Sequence, residues 1–167
     1  MTWTNAWPSH DISESRRKLK DLKATLEVVD PTISNELRNP LLRLLVVRAC
    51  GHLELTFIDS FCSFAESRSN EMVANFVRKS FSKGLNPRKI RLVGTLEKLD
   101  PSFASALNAY LDEAGKVRSE LLETLVSTRN KIAHGQSEST NTRKALELTD
   151  FSLEFSEWIS QILSPKR

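Results

Sequence analysis

The sequence of 167 residues predicts an all-α helical bundle, and three observations support this fold class. Asn39-Pro40, Asn86-Pro87 and Asp100-Pro101 each place a helix-capping residue before a proline, as at the start of many helices. Apolar residues recur at intervals of three and four over two long segments. Hairpin turns of the Asn-Gly or Asp-Gly type and sustained period-two alternation are absent, so we do not expect a sheet.

The first half of the chain holds three of the predicted helices. Asp11 and Glu14 fit a capping box, with Asp11 as the cap, before a charged helix that runs to about Val29. The first long central helix is predicted from residue 40 to about residue 67, because its apolar residues share one face. A further helix is predicted over residues 70–82, and the Gly-Leu-Asn-Pro segment that follows ends it.

The second half of the chain holds four more predicted helices. Two short ones are expected over residues 87–99 and 101–113, and the second long central helix over residues 116–133. A polar link of residues 137–141 leads to a last helix from about residue 142 to 163. We predict that the two long helices lie antiparallel at the centre of the bundle, with the shorter helices around them.

Length and composition are typical of one globular domain. We assign residues 1–167 to a single domain, with an N-terminal helix and extension over 1–39 and a helical core over 40–163. The longest strongly apolar stretch, residues 41–49, contains two arginines and is too short to cross a bilayer. No secretory signal is visible at the N-terminus, so we expect a cytoplasmic protein without a membrane partner.

The net charge and the cysteines bear on three questions: a polyanionic partner, a disulfide and a metal site. The net charge of +3 permits a polyanionic partner such as RNA but does not identify one. Cys50 and Cys62 would lie roughly 18 Å apart on one helix, too far for a disulfide, so we predict buried free thiols. No spacing of cysteine, histidine or carboxylate residues predicts a metal site, and we expect no metal or other cofactor.

The segment that groups catalytic chemistry most tightly is Arg129-Asn130-Lys131-Ile132-Ala133-His134-Gly135, at the end of the second long helix. Arg129 falls on an apolar stripe, so its charge requires a carboxylate, a phosphate or an opening to solvent. On a straight helix Arg129 and His134 point about 140° apart. Three arrangements would bring them together: the length of the arginine, a loosened last turn at Gly135, or a dimer two-fold axis.

These side chains are suited to cutting RNA without a metal. A histidine takes the proton from the ribose 2′-hydroxyl or delivers one to the leaving 5′-oxygen, and an arginine neutralises charge on the phosphorane. Asn130 is predicted to orient the histidine or bind the phosphate, and Lys131 to point outward and attract RNA backbone. The alternative is a chance spacing, in which His134 only interacts with the helix dipole.

The segment Arg129-Asn130-x-x-x-His134 resembles the Arg-x(4–6)-His motif of HEPN domains, in the form with asparagine after the arginine. The resemblance extends from about Leu41 to Leu163 and is to the RiboL-PSP-HEPN branch. It implies an all-α HEPN-like bundle that dimerises, so that two motifs share one cleft. It also implies metal-independent endoribonuclease activity, in many members within toxin–antitoxin or antiviral defence systems, with an antitoxin or another defence protein as partner.

The resemblance also implies roles for single residues. Arg129 and His134 would be the catalytic pair, with Asn130 as the supporting polar residue. Many members carry an acidic or polar residue on the earlier long helix, and Glu54 is our candidate for it, with Asp59 second. The family also contains domains that only bind nucleic acid or mediate assembly, which is our second hypothesis. A third is a nucleotide-binding helper that uses the same arginine.

Two further groups of residues are set apart by charge or titration. Six basic residues lie around the middle of the chain: Arg78, Lys79, Lys83, Arg88, Lys89 and Arg91. Such a run is usually a solvated face. The alternative is an RNA track in which Arg88, Lys89 and Arg91 bind phosphates and Phe81 stacks on a base. His52 is predicted to be a hydrogen-bonded interior histidine, and His10 to be exposed.

Overall fold

The structure is a computed structural model that describes residues 5–28, 35–136 and 141–166. Within these ranges the chain is helical and contains no strand, so the predicted all-α fold class is confirmed. A short 3₁₀ turn, Glu113–Lys116, precedes the sixth helix. The helices are α1 (His10–Val28), α2 (Asn35–Glu66), α3 (Glu71–Ser80), α4 (Lys89–Leu99), α5 (Pro101–Asp112), α6 (Val117–Ala133) and α7 (Thr142–Ile162).

Helix α2 is the centre of the bundle and packs against α1, α3, α6 and α7. Ser9 at the start of α1 bonds to Asp59, whereas Ser15 bonds to His52, so α1 and α2 are antiparallel. Helix α1 is also antiparallel to α7, so α2 and α7 run in the same direction. Helix α6 packs against both α2 and α7. The antiparallel orientation of the two long central helices stays a prediction.

The core lies where α2 meets α6 and α7. Burial of these apolar side chains is the main stabilising contribution, at roughly 25 cal/mol per Å² removed from water. Of the buried hydroxyls in this region, Ser152 Oγ donates to the Ala49 carbonyl at 2.7 Å, whereas those of Thr56 and Ser60 have no hydrogen-bond partner among the described residues. The fully buried side chains at this junction include Leu45, Leu53, Phe57, Leu122, Leu125, Leu148 and Phe155.

The predicted capping box at the start of α1 is wrong. The cap is Ser9, whose Oγ accepts a hydrogen bond from the Ile12 amide at 3.2 Å. The cap residue precedes the first helical residue, and because α1 begins at His10, Asp11 lies inside the first turn. Glu14 does not reach back to the cap and instead pairs with Lys18 at 3.0 Å.

The three proline start signals have three different outcomes. Pro101 is the first residue of α5, as predicted, and the Asp100 carboxylate accepts a backbone amide at 2.8 Å. Pro87 precedes α4 by two residues, because Arg88 is the residue before that helix. Pro40 lies inside α2, which begins five residues earlier. A proline removes one backbone hydrogen bond there, and the packing of the long helix offsets this loss.

Both cysteines and His52 are interior groups, as predicted. Cys50 and Cys62 are buried free thiols. The His52 side chain is 2% exposed, and its Nδ1 lies 3.1 Å from Ser15 Oγ. Burial, and then the charge of Arg16, lower the pKa of His52 from 6.5 to about 4. The imidazole is therefore neutral at pH 7 and has a structural role.

The low pKa of His52 predicts a pH dependence of stability. Between pH 6.5 and 4 the unfolded chain binds a proton that the folded chain does not, so stability falls as the pH drops through this window. The loss is expected to be on the order of 3 kcal/mol. Denaturant unfolding at several pH values should show a shallower decline for His52→Gln than for the unmodified chain. Equal declines would contradict the assignment.

Candidate functional site

The motif occupies the last turn of α6, and a specific helix end holds it there. His134 is the last residue of the turn, and Gly135 follows with φ of +69°. The Gly135 amide donates to Ile132 O at 3.1 Å and the Gln136 amide to Lys131 O at 3.0 Å. This pair of bonds is a Schellman motif, which closes a helix through a left-handed residue. Of the three predicted arrangements, a loosened last turn is therefore wrong.

Gly135→Ala is expected to destabilise the protein by about 1 kcal/mol, because alanine is strained at positive φ. An added Cβ would meet no atom within 4 Å, so the penalty is conformational and not steric. Gly94 offers a matched control, since it lies inside α4 and also has nothing within 4 Å of an added Cβ. Gly94→Ala should stabilise the protein. Denaturant unfolding measures the change in the free energy of unfolding for both variants. Changes of the same sign in Gly135→Ala and Gly94→Ala would contradict the Schellman assignment.

Arg129 has both the carboxylate and the solvent opening that its position requires. Its side chain is 36% exposed. Nη1 donates to Asn130 Oδ1 at 3.0 Å, and Nη2 lies 3.9 Å from Glu54 Oε2. The contact with Glu54 is long for an ion pair, and among the described residues the other N–H groups of the guanidinium have no close partner. A solvent-facing guanidinium held from one side is suited to binding a phosphate.

Glu54 is fixed by the loop between α3 and α4. Its Oε1 accepts a hydrogen bond from the Leu85 amide at 2.8 Å. Gly84, with φ of +74°, approaches so closely that an added Cβ would lie 2.5 Å from the same oxygen. Only glycine permits both this backbone conformation and this approach. Asp59, our second candidate, instead accepts a hydrogen bond from Ser9 near α1. The structure thus places Glu54, Asn130 and Arg129 together.

His134 lies at the exposed end of the same helix. Its side chain makes no hydrogen bond or ion pair within residues 5–28, 35–136 and 141–166, so nothing there joins it to Arg129. Its backbone amide donates to Asn130 O at 3.0 Å, which fixes its place on the helix. Both side chains reach solvent, and regular helix geometry separates positions 129 and 134 by about 140° around the axis.

The predicted RNA-binding residues have different surroundings. Arg88, Arg91 and Lys131 are exposed. The Lys89 ammonium is engaged within the protein, at 2.6 Å from Asp112 and 3.2 Å from Ser119. To bind an RNA phosphate, the Lys89 ammonium would have to give up these two contacts, so the net gain in binding free energy would be small. Lys89 therefore has the least support among the four residues predicted to bind RNA. Phe81, our candidate for base stacking, packs edge-to-face on the core residue Phe61, with ring centroids 5.3 Å apart.

Two residues on the stripe of α2 that contains Glu54 were not among our candidates. Arg43 shares a stripe of α2 with Glu54, three turns earlier, and its Nε is buried without a hydrogen-bond partner among the described residues. Cys50 lies between them on this stripe. Burial raises the pKa of Cys50 to about 11 although the charge of Arg129 opposes this, so the thiol is not a nucleophile. The spacing 43, 47, 50, 54 was the signal that could have found Arg43.

Neither a metal site nor a membrane span is found in the described part of the chain. It contains no group of three or more histidine, cysteine, aspartate or glutamate side chains placed to hold a metal ion. No helix of the described residues combines the length and apolar character that spanning a membrane requires.

The chain was compared with known proteins and protein families. No curated protein and no solved structure matches it significantly. The sequence model of the family described as RiboL-PSP-HEPN matches residues 10–164, a range that contains α1 to α7 and the whole Arg129–His134 motif. Because this match covers most of the sequence, the chain belongs to the RiboL-PSP-HEPN family of HEPN domains.

Proposed function

We propose that the protein is a metal-independent endoribonuclease that acts as a dimer. The family supports a ribonuclease or RNA-binding function in general terms. The observation that carries the finer proposal is the Arg129 guanidinium, which is open to solvent and held by Asn130 and Glu54. It lies one and a half turns before the exposed His134. This pair supplies a cation that can bind phosphate and an imidazole that can act as general acid and base.

The proposed reaction is an in-line attack by the ribose 2′-hydroxyl on the adjacent phosphorus. A His134 imidazole accepts the 2′-hydroxyl proton, and a protonated imidazole donates a proton to the leaving 5′-oxygen. The P–O5′ bond breaks as the P–O2′ bond forms, which leaves a 2′,3′-cyclic phosphate and a 5′-hydroxyl. Arg129 donates to the non-bridging oxygens, whose negative charge grows in the transition state.

Asn130 and Glu54 are proposed to position the guanidinium. Asn130 Oδ1 engages Nη1, and Glu54, itself anchored by the Leu85 amide, lies on the side of Nη2. The remaining N–H donors face outward, where RNA can reach them. Lys131, Arg88 and Arg91 are proposed to attract the RNA backbone without reading its sequence, because they present charge at the surface.

Dimerisation is proposed because helix geometry directs Arg129 and His134 of one chain about 140° apart and no contact joins them within the described residues. With α6 antiparallel to α2, as the sequence predicts, His134 would lie toward the beginning of α2 relative to Arg129, which lies beside Glu54. Three leucines at helical spacing are exposed on that part of α2, with Leu37 at 66% and Leu44 at 42%. Such a stripe is typical of an interface between chains. A two-fold axis there would place two motifs in one cleft.

The proposed setting follows from the family resemblance. An RNA-cutting enzyme is toxic to its own cell unless it is restrained. We therefore propose action in the cytoplasm, within a toxin–antitoxin or antiviral defence system, where an antitoxin or another defence protein is the inhibitory partner.

Incubation of the purified protein with labelled RNA in excess EDTA tests the activity. The expected products carry 2′,3′-cyclic phosphate and 5′-hydroxyl ends, and sedimentation should give twice the chain mass. RNA binding that weakens with salt but yields no products over long incubation would overturn the ribonuclease proposal in favour of an RNA-binding module. Nucleotide-induced thermal stabilisation, with no response to RNA, would favour a nucleotide-binding helper.

A further inference from the structure

A cavity of about 750 Å³ lies between α1 and α7, away from the proposed ribonuclease site. None of Arg129, Asn130, His134 or Glu54 lines it. Its volume is within the range of small-molecule sites. The proposed ribonuclease reaction makes no use of it, so its properties require a separate explanation.

The interior of this cavity holds polar groups whose hydrogen bonds are incomplete. Ser156 is 2% exposed, and its Oγ has no hydrogen-bond partner within the described ranges. Arg16 Nε is likewise buried and without a partner there, although Nη2 of the same side chain pairs with Glu157 at 2.6 Å. A buried polar group without a hydrogen-bond partner destabilises the folded protein. Two such groups in one cavity indicate a site that a ligand completes.

The walls of the cavity are apolar on the side of the chain's N-terminal segment. Trp7, Pro8, Ile12 and Leu153 line it. The Trp7 indole is fixed in place, because its Nε1 donates to the Ser160 carbonyl at 3.0 Å. A fixed indole beside aliphatic side chains favours a flat ring, which gains both apolar burial and stacking contacts.

The side chains at the rim of the cavity carry one more positive than negative charge. Arg16 pairs with Glu157, and Arg17 pairs with Asp21 at 3.0 Å. Lys20 also lines the cavity, is exposed, and has no ion pair in the part of the chain that the structure describes. Three cations against two carboxylates leave a single positive charge at the mouth. This balance favours a ligand with one acidic group over a neutral or polyanionic one.

We infer that the cavity between α1 and α7 binds a small aromatic or heteroaromatic molecule with one acidic group. The ring lies against Trp7 and Leu153, an acceptor on the ligand takes a hydrogen bond from Ser156 Oγ, and the acidic group lies at Lys20. An aromatic carboxylate and a nucleoside monophosphate share this chemistry, and the experiment distinguishes them.

The first probe is 8-anilinonaphthalene-1-sulfonate, which combines aromatic rings with one acidic group and becomes fluorescent in apolar sites. Titration of the full chain should give saturable binding with one site per chain. Displacement by indole-3-acetate or by adenosine monophosphate identifies which source of the acidic group the site prefers. Displacement by neither compound, like the absence of saturable binding, would overturn the inference.

Two variants and two controls locate the binding. Lys20→Glu reverses the charge at the rim and should raise the Kd of the probe about tenfold. Ser156→Leu removes the hydroxyl and fills the cavity, with a loss at least as large. Lys98→Glu, a surface lysine of α4, and Thr149→Val, a buried α7 hydroxyl outside the cavity, should change the Kd less than about twofold.

The surface variant keeps the test decisive even where Ser156→Leu impairs folding. Equal binding by Lys20→Glu and Lys98→Glu would show that the probe lies elsewhere and would overturn the inference. RNA cleavage is a separate readout, since the variants lie outside the proposed ribonuclease site, and neither result depends on the other.

Discussion

Replacement of His134 by alanine is expected to reduce RNA cleavage at least about a hundredfold, because general acid–base catalysis by a positioned side chain contributes roughly 10²–10⁴-fold. The imidazole is exposed and makes no contact in the described structure that supports the fold. The midpoint of thermal unfolding should therefore stay within about 1 °C of that of the unmodified chain. Initial rates of RNA cleavage in EDTA, with thermal unfolding measured in parallel, test both parts.

His10 provides the matched control for this substitution. It is also an exposed histidine, with 87% of its side chain accessible, and it lies at the start of α1, far along the chain from the motif. His10→Ala should cut RNA at the unmodified rate. Full activity in His134→Ala would reassign the site, and equal losses in both variants would point to a nonspecific effect of removing an exposed histidine.

Replacement of Arg129 by alanine is expected to reduce the cleavage rate roughly 10²–10³-fold, the cost of removing one preorganised donor to a growing oxyanion. Arg129→Lys should recover only part of this loss. Lysine keeps the charge but lacks the planar fork that engages Asn130 and faces Glu54 while other N–H groups bind the phosphate. Single-turnover cleavage rates separate this effect from weaker RNA binding.

Arg48 provides the control for Arg129. It is an exposed arginine of α2 that turns away from the stripe containing Glu54. Arg48→Ala should lower RNA affinity slightly, through its charge, and leave the single-turnover rate unchanged. Full activity in Arg129→Lys would show that a point charge is enough and that the fixed geometry beside Glu54 has no catalytic role.

Much of the fold follows from local signals. Asn70, Asp100 and Asn141 cap α3, α5 and α7, and each accepts the backbone hydrogen bond that its residue type predicts. Predictions from neighbouring residues were wrong where a contact with a distant segment fixed the start of a helix, or where packing outweighed the low helix propensity of proline. Ser9 displaced the predicted cap of α1, and Pro40 was absorbed into α2, because long-range contacts stabilise these segments.

The candidate site also contains residues that neighbouring sequence predicts and residues that only tertiary packing brings to it. Arg129, Asn130 and His134 are visible in the sequence because they lie within one turn and a half of a single helix. Glu54 was reached only through a family resemblance. Its relation to the motif depends on how α2 packs on α6 and on how Gly84 and Leu85 close over Glu54.

By itself, the sequence determined the helical class, most helix positions, the ending of α6 at a glycine and the grouping of an arginine with a histidine near that end. All of these depend on neighbours within a few residues. Only the tertiary structure decided that Arg129 meets Glu54, that Lys89 is paired, and that a cavity with an unpartnered serine lies between α1 and α7. These features depend on contacts between distant segments, and helical periodicity does not specify which side chains meet across an interface.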